Sequence, residues 1–114
     1  MTRIVIMPSL AKTISKTFSK AEAHKVIDRI ESTAAQPRKG KTLGAVGGLL
    51  IKELKYKKYR LYFIVDHDQL RYYDQEGLAE LLLMFVRMSD KKHQHDTIDE
   101  IRRVLKTIGP EGLA

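Results

Sequence analysis

The chain contains no cysteine, and that absence excludes disulfide scaffolds, thiol catalysis and cysteine-ligated zinc together. Long apolar runs are missing as well. The longest, Leu81 to Val86, falls far short of the roughly 20 residues a membrane span needs. The opening stretch Met1-Thr2-Arg3-Ile4-Val5-Ile6-Met7-Pro8 has one basic residue and too few apolar ones for a secretory signal, so the cytoplasm is the expected address. There is no internal repeat and no low-complexity segment. At 114 residues and 13.1 kDa, one domain over residues 1–114 is expected, with no room for a second core. A hydrophobic fraction of 43% against 31% charged residues places the chain among those that fold.

Acidic residues are in short supply: 14 against 21 Lys and Arg, for a formal charge of +7. The excess is concentrated. Between Pro37 and Arg60 the bases are Arg38, Lys39, Lys41, Lys52, Lys55, Lys57, Lys58 and Arg60, opposed by Glu53 alone. That segment therefore accounts for the whole net charge, and a localised basic block points to a polyanionic partner, most often nucleic acid. The competing interpretation is a lysine-rich solvated surface.

Arg3 to Met7 is β-branched and predicts a strand ended by Pro8. Ser9 then caps a short helix with Leu10, Ile14 and Phe18 at helical spacing. Ser19-Lys20-Ala21-Glu22 has the spacing of a reciprocal capping box, and Ala23, Val26, Ile27, Ile30 and Ala34 continue one apolar face to about Ala35. The two helices should form an antiparallel hairpin. Residues 37–48 carry four glycines and read as a loop; Lys41-Thr42 lacks the glycine spacing and preceding strand of a phosphate-binding loop. A three-strand meander follows: Leu49 to Tyr56, Tyr59 to Asp66 and Leu78 to Met88. On the first of these, Leu50, Lys52, Leu54 and Tyr56 share one side, and Ile51, Glu53 and Lys55 the other. Asp66 to Gln69 reads as a turn or bulge, Leu70 to Tyr73 as a strand extension, and Asp74 to Gly77 as a turn. The continuous apolar centre of the last strand suits burial on both faces. Asp96 and Asp99 mark the start of a final helix with a buried stripe of Ile98, Ile101, Leu105 and Ile108, ended by Gly109-Pro110. The expected class is α+β: strand, two helices, three-strand antiparallel meander and C-terminal helix, with helices on one face of a mostly antiparallel sheet.

That order resembles the RelE/ParE toxin superfamily of type II toxin–antitoxin systems. Three stretches carry the likeness: Leu50-Ile51-Lys52-Glu53-Leu54-Lys55; Tyr59-Arg60-Leu61-Tyr62-Phe63; and Phe85-Val86-Arg87-Met88-Ser89-Asp90-Lys91-Lys92 leading into Ile98-Asp99-Glu100-Ile101. The resemblance implies a small cytoplasmic toxin held in check by a cognate antitoxin protein. In the RelE branch the toxin enters the ribosome and cleaves mRNA without a metal or other cofactor; the ribose 2′-hydroxyl attacks the adjacent phosphate. In the ParE branch the target is DNA gyrase and nothing is cleaved. A non-toxic RNA-binding module is a third reading of the same basic face. Fold alone does not choose among them.

Metal-free phosphodiester transfer needs a proton acceptor, a proton donor and fixed cations for the charged transition state. Arg60 matches the arginine of the family's third-strand motif, and its planar fork suits a phosphate clamp. The alternative is a strand arginine paired with Glu53 across the hairpin. Lys55 and Lys91 are further candidate catalytic cations, Lys91 aligning with a basic residue at the end of the family's last strand. Arg38, Lys39, Lys41, Lys52, Lys57 and Lys58 are candidates for RNA binding through their field. His93 and His95, just before the last helix, are the acid/base candidates because histidine titrates near neutrality. Their spacing also permits a metal, but no third ligand is evident, and none is assigned. His67 and His24 are weaker candidates. The chain departs from studied RelE ribonucleases in having Glu53 where they carry lysine and Thr97 where they carry tyrosine, and in a longer segment around Leu70 to Gly77.

Overall fold

The structure is a computed structural model and describes residues 2–76 and 80–114. Its elements are β1 (Thr2–Ile6), α1 (Pro8–Thr17), α2 (Lys20–Glu31), β2 (Lys41–Val46), β3 (Leu49–Tyr56), β4 (Tyr59–Asp66), α3 (His67–Glu76), β5 (Leu81–Asp90) and α4 (Gln94–Thr107). The class is α+β, built on one five-stranded sheet of order β1-β5-β4-β3-β2. β1 runs parallel to β5, and every other pair is antiparallel.

Period-2 alternation on the central strands divides the core in two. Leu61, Phe63 and Val65 of β4 join Leu54, Leu83 and Phe85 beneath Leu10 and Ile14 of α1 and Val26 and Ile30 of α2. Tyr62 and Ile64 face the other way, with Ile51 and Val86, against Ile101 and Leu105 of α4 and Leu113. Helices thus cover both faces, not the single face expected. The unbroken apolar run of β5 required this, because a strand with solvent on one side alternates.

Four local expectations also change. The glycine-bearing segment contains strand β2, which pairs with β3 from Lys41↔Glu53 to Val46↔Leu49 through an irregularity at Thr42/Gly44. Helix α3 replaces the expected turn and strand extension after β4. Asp66 Oδ1 accepts the amides of Asp68 and Gln69 at 2.9 and 3.0 Å, and so caps the helix. The end of the expected turn at Gly77 and the expected strand start at Leu78 lie outside the described residues. Helix α1 begins at Pro8 itself, with Met7 as its cap, because proline lacks only an amide that the first turn leaves unbonded anyway. At the far end, Ile108 is 62% exposed: it follows the last turn of α4 and drops out of the expected stripe.

α1 and α2 follow one another closely and pack on the same core, but the capping box closes by a different route. Ser19 accepts the Glu22 amide as expected, while the Glu22 carboxylate accepts hydrogen bonds from the Tyr56 hydroxyl and the Lys57 ammonium. The Lys57 contact, and then that of Tyr56, holds the Glu22 carboxyl below its ordinary value, and the same contact raises Lys57. A depressed carboxylate contributes stability that is present above its unfolded value near 4.5 and lost as pH falls through the folded value. Glu22→Gln is therefore expected to lower the urea midpoint at neutral pH, with the gap to the parent closing below about pH 4.5. A gap unchanged down to pH 3 would show that the strap is not ionic.

A bulge in β5 aims two residues at α4. Tyr62 pairs with Arg87 but Phe63 with Phe85, so Val86 is the extra residue and the strand's parity flips beyond it. Arg87 then reaches Glu100 on α4 at 2.8 Å and the Leu113 carbonyl at 2.8 Å. Ser89 bonds the buried Tyr62 hydroxyl at 2.8 Å, and burial pushes that phenol's pKa up.

Candidate functional site

The sheet has a notch. Pairing between β2 and β3 starts at Lys41↔Glu53, so among the described residues the end of β3 beyond Glu53 has no partner strand on that side. Into this gap α2 sends Arg29, whose Nε donates to the Lys55 carbonyl at 3.4 Å. The result is a groove of about 430 Å³ whose lining includes Arg29, Lys39, Lys41, Lys55, Arg60 and Glu53. Five cations and one carboxylate share one concave surface.

Strand register fixes who faces whom. Lys55 pairs with Arg60 across β3–β4, and Lys41 with Glu53 across β2–β3, so all four lie on the α4 side of the sheet. Arg60 Nε sits 3.0 Å from Glu53 Oε1, and Arg60 Nη1 donates to the Tyr59 carbonyl at 3.1 Å. The arginine thus both lines the groove and makes the cross-hairpin ion pair. Gln94, the first residue of α4, donates from Nε2 to the same Glu53 oxygen at 3.0 Å. Glu53 is 7% exposed and forms the hub of this cluster.

The loop carrying Lys39 and Lys41 is held by a buried cation. Lys52 was expected to add to the surface field. It is 3% exposed, on the opposite face, where its ammonium donates to the Arg38 carbonyl at 3.0 Å and lies 5.7 Å from the Phe63 ring centroid. Gly40 passes so close that a Cβ there would meet the Glu53 carbonyl oxygen at 2.9 Å, and its φ of +102° also requires glycine.

The remaining candidates lie elsewhere. Arg38 neighbours a separate depression with Pro37 and Lys39. Lys57 is engaged by Glu22, and the Lys58 ammonium sits 5.5 Å from the Tyr59 ring centroid at the hairpin tip. Lys91 and His95 line a second pocket at the start of α4 with Lys92, Gln94 and Ile98. His93 is outside the groove: its Nδ1 and its amide both bond Asp90 Oδ1 at 2.8 Å, which lowers the Asp90 pKa. His95 is 90% exposed beside Asp99 at 3.4 Å. Gln94 is the link between the two pockets.

Sequence reading did not single out Arg29 or Gln94, and it treated Glu53 only as a departure or as Arg60's partner. Glu53 had a signal, being the lone acid in the basic block. Arg29 had none, because its approach depends on where β2 begins. Among the described residues no group of three or more His, Asp or Glu is placed to hold a metal ion. No helix among them is long and apolar enough to cross a membrane.

Comparison with protein-family models, with curated proteins and with solved structures finds no match in any of the three.

Proposed function

We propose that the protein is a RelE-like type II toxin: a ribosome-dependent, metal-independent mRNA endonuclease whose phosphate grip is the notch groove. The observation that carries this reading is the convergence of Arg29, Lys39, Lys41, Lys55 and Arg60 on one groove with a single carboxylate among them. Phosphate is the common ligand for such a surface, and fixed cations stabilise the extra charge of a five-coordinate phosphorus. Glu53, anchored by Gln94, accepts the 2′-hydroxyl proton. The 2′-oxygen bonds phosphorus, the bond to the 5′-oxygen breaks, and the products are a cyclic phosphate and a 5′-hydroxyl. His95, beside Lys91 in the adjoining pocket, returns a proton to the leaving oxygen. A cognate antitoxin neutralises the toxin; the apolar furrow between α1 and α2, lined by Ile14, Phe18, Ala23 and Ile27, suits a helical segment of such a partner.

One observation favours a second reading. Neither His93 nor His95 lines the groove, which is the arrangement of a protein that grips its target without cutting it, as a ParE-like gyrase inhibitor does. Purified protein on programmed ribosomes separates the two. Codon-positioned transcript ends carrying a cyclic phosphate and a 5′-hydroxyl support the endonuclease. Intact mRNA with blocked DNA supercoiling supports the inhibitor.

A further inference from the structure

Glu53 is an anion built into a cation-lined groove, and its position is costly for any anionic ligand. Its Oε1 takes Arg60 Nε and Gln94 Nε2, each at 3.0 Å, and Lys41 is its cross-strand neighbour. Arg60 spends a second nitrogen, Nη1, on the Tyr59 carbonyl. Two of its three guanidinium nitrogens are thus engaged inside the protein, one of them by a charge of the same sign as phosphate.

We propose that Glu53 sets the affinity of the groove by competing with phosphate oxygens for Arg60. This rests on the reading of the groove as an RNA site and adds a residue that limits binding to it. A bound phosphate has to displace the carboxylate or sit beside it, and like charges at that separation repel. A strand that offers successive phosphates to Arg29, Lys39, Lys41 and Lys55 offsets this repulsion. A single small phosphate cannot, so the groove favours polyanions.

The test is binding of a dye-labelled single-stranded RNA to ribosome-free protein, by anisotropy over a salt series. Glu53→Gln keeps an oxygen in place for Arg60 and Gln94 while removing the charge. Glu100→Gln, whose partner Arg87 lies outside the groove lining, controls for net charge. The expected result is affinity about five- to tenfold tighter for Glu53→Gln, with the salt slope steeper by about one. Glu100→Gln should stay within about twofold of the parent, and Glu53→Gln/Arg60→Gln should lose the gain. Parent binding with no gain in Glu53→Gln, or an equal gain in Glu100→Gln, overturns the proposal and leaves the RNA site standing. Absence of binding in the parent and in Glu53→Gln overturns both.

Discussion

Arg60→Ala is expected to cut mRNA cleavage on programmed ribosomes at least about 100-fold, the usual loss when one fixed donor to a charged transition state is removed. The same substitution also affects the fold. Glu53, nearly buried, would keep Gln94 as its one donor among the described residues, and breaking such a pair costs about 3 kcal/mol, the low end of the range because the groove is open to water. Activity and stability are separable with two further variants. Arg60→Lys retains the charge but not the planar fork, so it should stay close to the parent in urea midpoint while remaining poorly active. Glu53→Ala/Arg60→Ala removes both partners and should recover most of the lost stability with no cleavage. Parent-like transcript ends from well-folded Arg60→Ala would end the case for this arginine as a phosphate clamp.

Phe63→Ala should be the most destabilising of the core substitutions, by about 3–5 kcal/mol in equilibrium denaturation. Phe63 is fully buried on β4 and stacks on Phe85 with ring centroids 4.7 Å apart and planes 25° from parallel. Its other neighbours make it more than core filling. The Lys52 ammonium and Gly40 lie against its ring, and through them it supports the loop that delivers Lys39 and Lys41 to the groove. RNA affinity should therefore fall along with stability. Phe63→Leu, which keeps most of the volume, should cost about 1 kcal/mol and leave binding within a few-fold. A loss below about 1 kcal/mol for alanine would mean that the site collapses easily and that the ring is not the support described.

The two kinds of legibility in this sequence differ in physical origin. Alternation along Leu50 to Tyr56 placed Lys52 and Leu54 on one side and Glu53 and Lys55 on the other, as the structure has it. The period of a strand is a local property and can be read locally. Two-sided helix coverage was also implied by the apolar run from Leu81 to Val86, although the one-face arrangement expected from element order contradicted it. The residues between Pro37 and Gly48 failed as a strand for a clear reason. Glycines weaken β-propensity, and β2 is held by its pairing with β3 and by Arg102, whose Nη2 donates to the Leu43 carbonyl at 3.1 Å. None of that is encoded within the segment itself.

For the candidate site, charge clustering marked the part of the chain that lines the groove but could not sort its members. Eight bases between Pro37 and Arg60 look alike in sequence. In space Lys39, Lys41, Lys55 and Arg60 line the groove, Lys52 turns inward, and Lys57 is tied to α2. The sorting follows from strand parity, which was legible, and from where β2 begins relative to β3, which was not. Lys91 and the two late histidines depend on how α4 is seated, and that is set by Gln94, Arg87 and the bulge at Val86.

The pairing of the first strand with the last has a consequence for synthesis. Among the described residues, Thr2 to Ile6 find their sheet neighbour in Leu81 to Phe85 alone, so the N-terminal strand cannot dock until most of the chain has left the ribosome. Until then the α1–α2 hairpin has half its apolar floor missing, while β3 and β4 can already zip together through a two-residue connection. Nascent chains stalled before Leu81 should accordingly stay protease-sensitive at the N-terminus, and release of β5 should close the protein in one late, cooperative step.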